Sequence, residues 1–235
     1  SSDDILEQRR SPYFFVGYQA AWPLSPMTTN RVFLKVWKVS EANIDFVEKE
    51  WMNYQCAFDA GVPVAAPAIS EVTWSTSSRG SSYLVMAVDY IRQDAIETME
   101  DIVLFSRSLI ETVDKLHQQA QLLHGDLKLD NVRWRNGVVH LIDFEHAQPI
   151  DSAIWRRSTP NFEAPEILNG MPCSTLTDAF SVGETILYLL QRVVNMESRQ
   201  SQAYVSLLDV ANKLTHPDPK SRWRLPQAFD KMKAI

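Results

Sequence analysis

The sequence predicts an α+β fold in which a strand-rich segment with one helix precedes a helix-rich segment. Three observations carry this. Short β-branched and aromatic runs, bounded by Pro, Ser and Asn, occupy the first third of the 235 residues. One stretch with apolar residues three and four apart interrupts them. From Ile96 onward that helical spacing dominates, and strand patterns shrink to one short pair.

The elements follow in order. Residues 13–18, 32–39, 69–74 and 83–88 read as strands. Between the second and third, residues 43–60 read as a helix. Its apolar face holds Phe46, Val47, Trp51, Tyr54 and Phe58, and Gly61-Val62-Pro63 stops it. The break between the two segments falls near Val88-Asp89. Residues 99–120, 176–195, 201–214 and 226–232 then carry helical spacing. Strands at 132–135 and 138–142 flank Asn136-Gly137, a strong hairpin signal because both positions tolerate positive φ. The division is thus 12–88 for the first lobe and 89–235 for the second. Residues 1–11 read as an N-terminal extension or a scar of expression. Ser1-Ser2-Asp3-Asp4 without an initiator Met suggests a longer parent.

Composition bounds the function. At 45% apolar and 22% charged, with 7 Gly, the chain has the make-up of a globular domain. A net charge of -6 and the lack of a Lys/Arg run argue against nucleic acid as the main partner. No apolar run reaches the ~18 residues that would span a bilayer. Cys56 and Cys173 are far apart and read as free thiols in a reducing compartment rather than a disulfide. The expected location is intracellular, cytoplasmic or nuclear. No repeat is visible, and the sequence leaves the oligomeric state open.

The chemistry concentrates in His124-Gly125-Asp126-Leu127-Lys128-Leu129-Asp130-Asn131. Asp143-Phe144-Glu145 begins twelve residues beyond Asn131. An acid, a lysine two residues on, an asparagine five residues on and a second acid are the minimal equipment for phosphoryl transfer. The first acid orients the attacking hydroxyl, the lysine steadies the moving group, and the asparagine and second acid hold magnesium. The pattern resembles that of the protein kinase superfamily. The resemblance implies a two-lobed fold, with a small antiparallel-sheet lobe bearing one helix and a larger, mainly helical lobe. It assigns catalysis to Asp126 and Lys128, and magnesium to Asn131 and Asp143.

Further residues carry the same resemblance, from about 13 to 230. Lys35 in Val32-Phe33-Leu34-Lys35-Val36-Trp37 resembles the lysine that pairs the α- and β-phosphates of ATP. Family spacing, 11 residues before the Gly-Val-Pro stop, selects Glu50 over Glu48 as its partner. Gly17 stands where the first glycine of the family's phosphate loop lies. Met86 resembles the residue at the back of the adenine pocket, and the resemblance puts adenine near Ala87 and Val88, between the lobes. His124 and Phe144 look like members of a stacked apolar spine, with Tyr54 a third. Ser158-Thr159-Pro160-Asn161-Phe162-Glu163-Ala164-Pro165-Glu166, Asp178-Ala179-Phe180-Ser181-Val182-Gly183 and Asp218-Pro219-Lys220-Ser221-Arg222 match three later family motifs. They imply a buried Glu166–Arg222 ion pair.

The chain departs from the family in three ways, at four positions. The second and third loop glycines are Gln19 and Trp22, which weakens the case for close phosphate contact. Glu145 replaces the glycine after Asp143-Phe144, as in the choline- and aminoglycoside-kinase branch. Gly125 replaces the arginine that reads a phosphate on the activation loop. The leading reading is ATP- and Mg2+-dependent phosphoryl transfer to serine or threonine of an unknown protein substrate. The alternatives are a small-molecule kinase and a pseudokinase scaffold without turnover.

Overall fold

A computed structural model describes residues 5–9, 15–25, 28–39, 44–68, 73–76, 82–193 and 198–235. Residues 13–14, 43, 69–72 and 194–195 of the expected elements lie outside the described residues. The chain divides into two units. One holds the residues up to Gln55 together with Ala65–Ile91, and the other holds Cys56–Val64 and Arg92–Ile235.

The first unit is built on strands β1 (Ile5–Arg9), β2 (Phe15–Ser25), β3 (Thr28–Val39), β4 (Thr73–Thr76) and β5 (Ser82–Asp89). They form one sheet in the order β1-β2-β3-β5-β4, with every neighbouring pair antiparallel. β1 falls in the stretch read as an extension; with two apolar residues among five, it is too polar for a period-two signal. β2 runs seven residues past the expected end at 18, through Gln19, Ala20 and Pro23, because its ladder with β3 overrides weak local propensity. Helix α1 (Ile44–Asp59) supplies the first unit with a buried stripe of Val47, Glu50, Trp51 and Tyr54, spaced three and four apart. Trp51 and Tyr54 stack with ring centroids 5.7 Å apart.

The second unit begins with α2 (Met99–Lys115), capped by Thr98. The Thr98 hydroxyl accepts from the Asp101 amide, and the Asp101 carboxylate accepts from the Thr98 amide. A π turn, Leu116–Ala120, extends α2 to the expected end at 120. The strands are β6 (Leu122–Leu123), β7 (Val132–Arg135), β8 (Val138–Leu141) and β9 (Gln148–Pro149). β7 and β8 pair across Asn136 (φ 50°) and Gly137 (φ 79°), the two positive angles the turn demands. The helices α3 (Pro165–Leu168), α4 (Thr175–Val193), α5 (Gln202–Leu214) and α6 (Leu225–Met232) complete the unit. α2 packs against α4, α5 and α6, and α5 lies against both α4 and α6. Their shared core includes Phe105, Leu109, Ile110, Ile186, Leu190, Leu207, Leu214 and Met232, all essentially fully buried. None of the helices among the described residues is long and apolar enough to cross a membrane.

Candidate active site

In the first unit, Lys35 and Glu50 meet. Lys35 Nζ donates to Glu50 Oε1 at 2.5 Å, and both side chains are almost completely buried. The cause is in the patterns. Lys35 lies on β3 opposite Met86 of β5, and Glu50 sits inside the apolar stripe of α1, whereas Glu48 is exposed. A charge on that stripe is tolerable only with a partner of opposite sign. Gly17 lies in β2 directly opposite Lys35. Gln19 and Trp22 belong to the same continuous ladder, opposite Phe33 and Asn30. Met86, Ala87 and Val88 are buried positions of β5; the Ala87 carbonyl accepts from the Ala68 amide at 2.9 Å.

In the second unit, the start of the segment 124–131 is held by one buried carboxylate. Asp178, in the first turn of α4, accepts from the backbone amides of His124 (2.9 Å) and Gly125 (3.0 Å) and from His117 Nε2 (2.9 Å). Burial works to raise its pKa, but the His117 hydrogen bond and charge outweigh this, and the carboxyl titrates below its ordinary range. His124 also contacts the Ile142 carbonyl through Nε2 (3.1 Å), and its ring tilts against Phe144 at 5.4 Å. The two rings thus meet, but tilted by 48° rather than stacked. Tyr54 stacks on Trp51 in the first unit.

Asp126 is the centre of the donor network. Its Oδ2 accepts from Lys128 Nζ (2.7 Å) and Asn131 Nδ2 (2.9 Å), and its Oδ1 accepts from the Thr159 amide (2.9 Å). Lys128 Nζ also donates to the Thr159 hydroxyl. Burial pushes the Asp126 pKa up, but the Lys128 and Thr159 hydrogen bonds more than offset it, and the group lies below its usual value. A carboxylate offers about four lone-pair sites. With three of them taken, one on Oδ1 remains for a further donor.

Asn131 turns its amide nitrogen to the Asp126 carbonyl (2.8 Å) as well as to the carboxylate, leaving its amide oxygen to act as an acceptor. The Asn131 carbonyl accepts from the Ile142 amide at 3.0 Å, which brings Asp143 one residue from that junction. Asp143 adopts φ 65°, a left-handed conformation uncommon for a non-glycine residue and frequent at functional sites. One amide oxygen and one carboxylate fit a hard cation such as Mg2+, which takes few protein ligands and fills its shell with water and phosphate oxygens.

The later motifs form an ion pair of their own. Glu166 at the start of α3 and Arg222 form a two-pronged pair, Nη1–Oε1 at 2.5 Å and Nη2–Oε2 at 2.9 Å. Arg222 also donates to the carbonyls of His216 and Leu176 and lies over the Phe180 ring. The expected ion pair is thus formed. Sequence reading missed His117 as a partner of Asp178, and Glu163, whose Oε1 accepts from Arg157 Nε (2.7 Å) and the Ser158 amide (2.8 Å). No spacing signals either: His117 sits in the turn that extends α2, and Glu163 falls between the motif residues that carry the resemblance.

The family model "Protein kinase domain" matches residues 72–231. The chain belongs to the protein kinase family. The match begins after β2 and β3, the stretch in which the glycine positions depart. Among similar proteins, Myosin light chain kinase 3 of Homo sapiens is 41% identical over 96 residues, covering 38% of this chain and 12% of the relative. Smooth-muscle myosin light chain kinase of Gallus gallus is 34% identical over 106 residues, covering 43% of this chain and 6% of the relative. Myosin light chain kinase 3 of Danio rerio is 38% identical over 96 residues, covering 38% and 13%. The matched stretch therefore spans only a small part of these relatives.

Proposed function

We propose that this chain is the phosphotransfer domain of a serine/threonine protein kinase that uses ATP and Mg2+. The observation that supports this best is the bridge made by Lys128 between Asp126 and Thr159. It holds an ionised carboxylate and a cation side by side, with Thr159 fixing the cation, as in-line transfer to a substrate hydroxyl needs. Lys35, fixed by Glu50, is the cation for the α- and β-phosphates. Asn131 and Asp143 hold the metal, whose charge, when bound, offsets that of the phosphates. Asp126 takes the substrate hydroxyl on its remaining Oδ1 site. Its low pKa makes it an orienting group that accepts the proton late, which suits a loose transition state. The buried, ion-paired Lys35–Glu50 set supports turnover over a scaffold role, because a buried pair is costly to keep without use. The small-molecule alternative rests on Gly125 and Glu145 alone.

Two measurements test the reading: Mg2+-dependent ATP binding, and labelled phosphate transfer to the chain itself and to a basic protein. Asp126→Asn should remove transfer by ~10²-fold or more while leaving ATP affinity unchanged. Asp143→Asn should weaken Mg2+–ATP binding too. Equal loss of ATP affinity in both variants contradicts this division of labour. Binding without transfer to any protein favours the scaffold, and transfer to choline or an aminoglycoside favours the small-molecule kinase.

A further inference from the structure

Thr159 reaches Asp126 and Lys128 only if the chain before it holds one course. Six consecutive residues there are each tied to a group beyond their immediate neighbours. Ile154 donates its amide to Gln148 Oε1 (2.9 Å), and its carbonyl accepts from the Cys173 amide (3.3 Å). Trp155 Nε1 donates to the Ile167 carbonyl at 2.8 Å. Arg156 Nη1 donates to the Glu145 carbonyl at 3.1 Å. Arg157 and the Ser158 amide share Glu163 Oε1, and Thr159 closes on Asp126 and Lys128. The only hydroxyls of this strap are those of Ser158 and Thr159, the latter accepting from Lys128, and Gly125 offers no cation that a phosphate there could meet.

We infer that Trp155 and Glu163 are positioning residues, which hold this strap in its productive course without phosphate. The inference deepens the proposed kinase reading and concerns how that same site is kept ordered. Trp155 anchors the upstream half to α3, a helix itself fixed by the Glu166–Arg222 pair. Glu163, with its side chain only 3% exposed, gathers the downstream half by accepting from a guanidinium and an amide. Both acceptors are supplied by the fold and need no modification. A half-exposed indole whose N–H is spent on a backbone carbonyl is an anchor rather than a packing residue.

The test uses phosphatase-treated full chain, with two readouts. Hydrogen exchange should show the Ile154, Ser158 and Thr159 amides protected in the wild type. Trp155→Phe keeps an aromatic ring, though a smaller one, and loses the N–H; Glu163→Gln keeps the shape and loses the charge. Each should speed exchange at Ser158 and Thr159 about tenfold while α2 amides stay protected. In labelled transfer, both variants should lower kcat and leave KM for ATP unchanged, and phosphatase treatment should not slow the wild type. Free exchange of these amides in the phosphate-free wild type overturns the inference, as does an unchanged rate in both variants. A protected strap without phosphate transfer would instead sink the kinase reading and leave the strap standing.

Discussion

At the scale of single residues, Gly125 shows what sequence and geometry each contribute. In the sequence it is a missing arginine. In the fold it holds φ 77°, donates its amide to Asp178, and lies against the His146 carbonyl. A Cβ there would sit 2.7 Å from that oxygen. The His146 backbone therefore occupies space that a side chain would claim. Left-handed φ alone costs a residue with a Cβ ~1–2 kcal/mol, and a backbone oxygen cannot rotate away. Gly125→Ala should lower stability by at least that much, read as a lower urea midpoint at unchanged slope. An unchanged midpoint would mean that the loop shifts freely and that the close packing is not required. The candidate residues Lys35, Glu50, Asp126, Lys128, Asn131 and Asp143 were legible because they sit at fixed spacings. The His146 contact was not, because it joins two loops and leaves no periodic trace.

Elements were legible where their periodicity was long. α1, α2, α4, α5 and α6 lie where their apolar spacing puts them, and the β7–β8 hairpin follows from Asn136-Gly137. The short, polar or composite pieces were not: β1, the two-residue β6 and β9, and the four-residue α3, whose existence rests on Pro165 at its start and on contacts from afar. α3 illustrates how a short element is kept. Arg222 has no exposed side-chain surface, and Glu166 is only 13% exposed. Removing either partner leaves a buried charge, so Glu166→Ala and Arg222→Ala should each cost ~3–5 kcal/mol. The double variant should cost less than the sum of the two, because the second truncation removes a charge already stranded. Additive losses in denaturant titrations would show that the pair is not coupled. Calorimetry on the three variants would give the same comparison as shifts in Tm.

For the whole molecule, the buried and half-buried titratable groups dictate a stepped response to acid. His140 and His146 both titrate below the ordinary imidazole value of 6.5. Burial is the main cause for each. At His140 the backbone bonds to Val138 and Arg133 oppose it. At His146 the carboxylates of Asp126, Glu145 and Asp143 oppose it, and Arg156 reinforces it. The unfolded chain therefore binds protons more readily than the folded one just below pH 6.5, so stability must fall as pH drops through that window. Asp126 and Asp178 act lower down. Their folded pKa values lie below 3.8, so their contribution is present above that value and is lost as pH falls through the folded pKa. Tm should thus decline in two stages, a first between about pH 7 and 5 and a second below about pH 4. His140→Gln combined with His146→Gln should flatten the first stage and leave the second in place, since glutamine cannot take up the proton. If the first stage persists undiminished in that variant, other groups carry the acid response and the two half-buried imidazoles do not.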